Sequence, residues 1–418
     1  MTQLGNEVYA CGTVARKGLL NITTQDFKRC EHLEHHTLRG KTLSRKPKLL
    51  IWSFLLVPLF LNLSVAIASD SRSIQGFGTI LYPSPNVRLM GVDGPEWINF
   101  DEAQADILKN NNANAIRLGI YSNNWINNIP AWTDPENPLM NFQAKHKRIA
   151  EWLQQRGVRL IVCADGFEWN PPEGWVQMKA DVIMNTDGKG DKWIADYGDV
   201  IVKLQPYGIH VMNEPEGVAG TTYEGTITQE QFFEAYRQFV IRAINTWRAI
   251  KPDLVAVVSG CPFYDLHPIA ANPIPLPNIV YGFHRHYAHE DAPWYPQPSD
   301  DAYWNATTPA ELQTAKALLY DELLNERGFQ ACLNAGLELC MIEVGAGNQA
   351  NNAEVWMQDV YDFCKARNIG VLQHQFRPYP IYYSGILQEG TLEQPSGIWW
   401  KPVTLNSMGQ LWSRNMQG

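Results

Sequence analysis

The chain has 418 residues, 45% of them hydrophobic and 18% charged, which excludes a disordered or collagenous protein and supplies a sizeable core. Its formal charge of −9 argues against a nucleic-acid partner. Fifteen Trp, seventeen Tyr and fifteen Phe point to a large aromatic core, a stacking ligand site, or both.

The charge is unevenly spread. Residues 1–48 carry nine Lys/Arg and four Asp/Glu, residues 49–68 carry no charge, and residues 69–418 carry a net of −14. The uncharged segment LLIWSFLLVPLFLNLSVAIA is 20 residues long, enough to cross a bilayer as a helix. Arg45, Lys46 and Lys48 precede it, which predicts the N-terminus inside and everything after Ser69 outside. Ala66-Ile67-Ala68 at its end is a small-x-small pattern open to signal peptidase. The expectation is an N-terminal membrane-targeting helix over 49–68, either a cleaved signal peptide or a retained signal-anchor. Residues 1–48 are then a basic cytosolic tail or, since no Met stands between Met1 and Met90, a misassigned extension. The remainder is extracellular, secreted or anchored at the outer face of the membrane. Cys11 and Cys30 fall on the reducing side. Cys163, Cys261, Cys332, Cys340 and Cys364 fall outside, in apolar patterns and in no CxxC or zinc-ligand spacing. No metal site, cofactor or disulfide is assigned.

Beyond residue 69, short apolar runs alternate with amphipathic stretches. The runs are Val87–Val92, Ala115–Ile120, Val158–Ala164, Ile209–Asn213, Leu254–Ser259, Ile279–His284, Leu337–Val344 and Ile369–Phe376. Helices are predicted over 101–112, 141–156, 189–204, 228–251, 309–335 and 352–367, with Thr-Gln-Glu-Gln opening the fourth like a capping box. Strands apolar on both faces and alternating with helices imply a parallel sheet. Eight of them predict an α/β protein with one (β/α)8 TIM barrel spanning 69–418. An open doubly wound sheet lacks support, because no G-x-G-x-x-G follows the first run.

Three constellations close these runs at the ends where barrel enzymes carry their chemistry. Ile209-His210-Val211-Met212 leads to Asn213-Glu214-Pro215, Val280-Tyr281-Gly282-Phe283 to His284-Arg285-His286-Tyr287, and Leu339-Cys340-Met341-Ile342 to Glu343-Val344-Gly345. A carboxylate at the end of an apolar strand loses part of its hydration, so it needs a partner or a function. On the fourth and seventh strands of eight, Glu214 and Glu343 would face each other across the barrel mouth.

From about Gly76 to Trp400 the chain resembles glycoside hydrolase family 5, the cellulase and mannanase family of retaining (β/α)8 enzymes. The likeness is carried by Asn-Ala-Ile-Arg117-Leu on the second strand, Asn213-Glu214-Pro215 on the fourth, His284 on the sixth and Ile342-Glu343-Val-Gly on the seventh. It implies Glu214 as general acid/base, Glu343 as nucleophile, Asn213 on the sugar 2-hydroxyl, Arg117 holding the nucleophile and His284 lining the −1 subsite. Retaining hydrolysis needs one protonated and one ionised carboxyl, and an Arg beside one of them selects which is ionised.

The chain also departs from that family. Val162-Cys163-Ala164 leads to Asp165 where a His is usual. The sixth-strand His-x-Tyr becomes His284-x-His286, with Tyr287 one place later. No Trp closes the eighth strand, so His374, Trp399 or Trp400 is expected to take its place. Trp97, Trp125, Trp132, Trp169, Trp175, Trp294 and Trp304 follow predicted strands as candidate sugar platforms, with Trp97, Trp169 and Trp399 assigned to substrate together with Tyr287. His210, His267 and His289 are read as ordinary. The resemblance implies a retaining endo-β-1,4-glycanase, cellulase-like, with a β-linked polysaccharide or oligosaccharide as partner. A β-mannanase, an exo-acting β-glucosidase and a catalytically weak surface glycan-binding barrel are the alternatives.

Overall fold

Strands apolar on both faces need cover on both, and this chain supplies it by setting helices between most of them. The computed structural model describes residues 83–86 (as backbone), 100, 102–129, 141–168, 171–262, 264–287, 297–346, 350–374 and 405–416. All belong to one unit, Val65–Gly418. Eight parallel strands close a barrel in chain order: β1 (Pro83–Asn86), β2 (Ala115–Tyr121), β3 (Arg159–Gly166), β4 (Gly208–His210), β5 (Val255–Ser259), β6 (Ile279–Tyr287), β7 (Leu339–Ala346) and β8 (Gly370–His374). β1 closes the ring by pairing with both β2 and β8. The first strand forms just ahead of the expected Val87–Val92, whose residues lie outside the described part.

One part of the expected fold class is corrected. No helix among the described residues is long and apolar enough to cross a membrane. The longest of them, Gln229–Ile250, is apolar on one face only: it buries Phe232, Tyr236, Phe239, Val240, Ala243, Ile244 and Trp247 against the barrel. The membrane-targeting helix is therefore removed from the fold class. Residues 1–48 and 49–68, with the tail and anchor expected there, lie outside the described residues.

Local signals set the helix boundaries. The Thr228 hydroxyl accepts from Gln231 N, and the Gln231 side chain accepts from Thr228 N, a capping box that starts Gln229–Ile250. The Asn141 side chain accepts from Ala144 N and starts Phe142–Gln155. The single helix expected over 309–335 is instead Pro309–Asp321, a π-type turn Glu322–Glu326 and Phe329–Asn334. Gly328 divides it at φ +80°, where a Cβ would also meet the His267 backbone nitrogen at 2.8 Å.

The barrel interior has an apolar floor of Ala115, Ile161, Val255, Val257, Val280, Cys340, Ile342 and Leu372, distinct from the larger core between strands and helices. That outer core contains one buried charge cluster. Arg285 leaves β6 outward, donates to Asp300 Oδ1 at 2.7 Å and to Glu322 Oε2 at 3.0 Å, and so ties helix Pro298–Asn305 and the π-type turn to the sheet. The five described cysteines are all buried.

His146 is also buried, its ring tilted against Phe142 with centroids 4.2 Å apart, and its Nδ1 bonded to the Phe142 carbonyl at 2.8 Å. Burial pushes its pKa down to about 4, against the pull of that carbonyl. The unfolded chain therefore takes up a proton near pH 6.5 that the folded chain refuses until about pH 4. Stability should fall across that window by on the order of 3 kcal/mol from this group alone. Urea denaturation at pH 7 and pH 4.5 should show a smaller acid loss in His146→Phe than in the wild type; equal losses would refute the assignment.

Candidate active site

Strict alternation along β7 would send Cys340, Ile342 and Val344 inward and Glu343 out to the helices. The structure breaks that alternation. Phe283 pairs with Met341, but His284 pairs with Glu343, so Ile342 is an extra residue in the ladder. Ile342 joins the barrel floor, Val344 joins the outer core, and Glu343 turns inward beside Ile342. Gly282 makes room, since a Cβ there would meet Ile342 Cδ1 at 2.5 Å.

Glu343 is 1% exposed and forms an ion pair with Arg117 Nη2, itself fully buried. The neighbouring Nη1 faces Asn213 Oδ1 at 3.1 Å, His210 Nδ1 at 3.0 Å and Cys163 Sγ at 2.8 Å. A guanidinium only donates, so His210 accepts through Nδ1 and carries its proton on Nε2, which lies 2.7 Å from Ser259 Oγ. Four side chains, from β3, from β4 and its end, and from β7, thus converge on one cation, and that cation favours the ionised form of Glu343.

Glu214 sits differently, 36% exposed at its side chain. Its backbone is left-handed at φ 49°, and its carbonyl accepts from Lys179 Nζ at 3.0 Å. Lys179 is buried on helix Trp175–Met184 and also faces Glu216 at 3.6 Å. Burial raises the Glu216 carboxyl, while Lys179 opposes that shift.

His284 connects the two acids. Its Nδ1 lies 3.3 Å from Glu214 Oε1 and 3.4 Å from Glu343 Oε2, so those oxygens are no farther apart than the sum of these distances. That bound accommodates the ~5–5.5 Å of a retaining pair. The ring stacks on Tyr264 at 4.1 Å and 20°. Burial holds its pKa well below 6.5, against the upward pull of Glu214, so the ring is neutral near pH 7.

Arg117, Asn213, Glu214, His284 and Glu343 are thus brought together. Tyr287 is not: it points outward from β6, stacks on Trp356 at 5.6 Å and donates its hydroxyl to Asn351 O at 2.8 Å. Its predicted place is taken by His286, two residues on from His284 and on the same face of the strand, with Nε2 3.6 Å from Glu343 Oε2. From β8, His374 brings Nδ1 to 3.7 Å of the same oxygen. His210, read as ordinary, belongs to this cluster, and parity with His284 was the available signal for His286. Ligand atoms of His284, His286 and Glu343 lie within 4.8 Å of one another, a grouping that the absence of a zinc-like spacing did not anticipate. Trp125 is core, fully buried with Nε1 on Asp199. Trp175 packs across Gly166 at the end of β3. Trp97, Trp132, Trp169, Trp294, Trp399 and Trp400 lie outside the described residues.

No family model matches this chain, and no curated protein matches it. Solved structures do. An endocellulase from Pyrococcus horikoshii, crystallised with cellotetraose, is 16% identical over 80% of this chain and 92% of its own, with a TM-score of 0.59. A broad-specificity endoglucanase from Clostridium acetobutylicum is 13% identical over 83% and 99%, with a TM-score of 0.53. Cellulose synthase subunit Z from Clostridioides difficile is 14% identical over 80% and 99%, with a TM-score of 0.51. At these identities the likeness shows a shared fold, the (β/α)8 barrel.

The Arg117–Glu343 pair gives a direct stability test. Removing one member of a buried pair leaves a lone charge, so Arg117→Met should cost about 3–5 kcal/mol at pH 7. Adding Glu343→Gln should restore much of that loss. A urea double-mutant cycle measures the coupling; additive losses would show that the two groups do not depend on each other.

Proposed function

We propose that this protein is a retaining glycoside hydrolase of family 5 type that cleaves internal β-1,4 bonds of a cellulose-like glucan. One observation carries the assignment. Two carboxyl groups approach the same His284 nitrogen from unlike surroundings, Glu343 buried on an arginine and Glu214 partly open to water. Such a pair suits double displacement.

In the first step the Glu343 carboxylate attacks the anomeric carbon while Glu214 gives its proton to the departing glycosidic oxygen. A C–O bond to Glu343 forms as the glycosidic C–O bond breaks. In the second step Glu214 takes a proton from water, the water oxygen bonds to the anomeric carbon, and Glu343 leaves as carboxylate. Asn213, with Oδ1 held by Arg117, offers its amide N–H to the sugar 2-hydroxyl. His284, neutral through burial, lines the −1 position without adding charge. The Pyrococcus endocellulase that binds cellotetraose supports a β-glucan as substrate, on fold likeness. A polymeric substrate implies work outside the cell.

Two substitutions test the roles. Glu343→Ala should stall every substrate, because nothing remains to form the glycosyl-enzyme. Glu214→Ala should cripple β-1,4-glucan yet spare the first step on an aryl glycoside with an acidic phenol, the gap being about 10²–10⁴-fold. Azide should relieve the stalled second step of that variant with retained configuration. The opposite pattern would exchange the roles, and an inverted product from the unmutated enzyme would sink the retaining mechanism. Product lengths on glucan, mannan and xylan measure the specificity.

A further inference from the structure

Glu343 has surroundings that a nucleophile does not require. Three imidazole nitrogens face its Oε2: His284 Nδ1 at 3.4 Å and His286 Nε2 at 3.6 Å from β6, and His374 Nδ1 at 3.7 Å from β8. These separations exceed the ~2.7–3.2 Å of an N–H···O bond. The first two fit another geometry. Metal–ligand bonds of about 2.0–2.2 Å in a tetrahedron set neighbouring ligand atoms about 3.3–3.6 Å apart.

We propose that the barrel mouth binds a divalent transition-metal ion of the zinc class, ligated by Glu343 Oε2, His284 Nδ1 and His286 Nε2, the three residues whose ligand atoms lie within 4.8 Å of one another. His374 stands beside this group and outside it. Two imidazoles and one carboxylate select zinc, copper, nickel or cobalt over magnesium and calcium, which need all-oxygen shells. All three groups stand on barrel strands, so closure around an ion needs ångström-scale side-chain motion. His284, ligating through Nδ1, carries its ring proton on Nε2. His286 is 26% exposed while Glu343, His284 and His374 are nearly sealed, so the ion enters past His286. An ion there occupies the carboxylate assigned as nucleophile. Reversible inhibition of hydrolysis follows, and that consequence alone rests on the proposed function.

The test uses the full chain, stripped with a chelator and titrated with zinc chloride by calorimetry. The wild type should bind one equivalent that His284→Gln and His286→Gln each weaken by at least about tenfold. Histidines and cysteines of residues 1–48 can add equivalents, which neither substitution should alter. Urea midpoints of the metal-free variants check that they fold. Cobalt(II) on the wild type supplies a second measurement, since four-coordinate cobalt gives strong visible d–d absorption. Identical zinc titrations for wild type and both variants, equal affinity for magnesium, or no such cobalt band would overturn the site. Zinc binding in a chain that hydrolyses no glycan would keep the site and remove the hydrolase assignment. Hydrolysis untouched by zinc, with unchanged titrations, would do the reverse.

Discussion

An arginine cannot shed its charge, and Arg117 is fully buried inside the barrel. Much of what surrounds the mouth answers that constraint. A carboxylate from β7 neutralises it, while an amide, an imidazole and a thiol share one of its nitrogens. The imidazole is held in a single tautomer and passes the polarity on to Ser259. Isolated, a buried charge costs several kcal/mol; here both terminal nitrogens are compensated, while Nε has no hydrogen-bond partner among the described residues. The geometry of the proposed chemistry is thus also the geometry that makes the cation tolerable, so structural and functional roles of these side chains cannot be separated by simple deletion.

The barrel was legible in the sequence because double-faced burial leaves a strong pattern. Seven of the eight expected runs coincide with strands, and Thr228 and Asn141 mark helix starts as their side-chain chemistry suggests. Less legible were features fixed by distant neighbours. The break at Gly328 answers the close backbone of His267, over sixty residues earlier in the chain. Helices Trp175–Met184 and Pro298–Asn305 were missed because their surroundings, not a clean period, decide them, whereas Ser407–Met416, with Met408, Leu411, Trp412 and Met416 at helical spacing, was legible and overlooked.

The site shows the same division. Glu214, Glu343, Asn213, Arg117 and His284 announce themselves as polar groups at the ends of apolar strands. Tyr287 was assigned by residue type, whereas strand parity decides the matter: it faces the helices, and His286 faces the mouth. Reading alternation outward from His284 would have found this, whereas counting it back from Asn213 reaches Val211 and passes over His210. Applied without exception to β7, though, the same rule would have turned Glu343 away from the barrel.

That exception lets one strand turn two successive side chains, Ile342 and Glu343, to the same side of the sheet. Ile342 can be exchanged for another apolar side chain that shares its space with Gly282, and the carboxylate will still point to Arg117. Removing Ile342 restores simple pleating with Met341 facing out and Glu343 facing in, still opposite His284, so the carboxylate keeps its side while the floor loses an apolar side chain. The extra residue therefore serves the floor, and the aim of the carboxylate does not depend on it. A single codon deletion there would hollow the barrel floor while leaving the charge pair of the mouth in place.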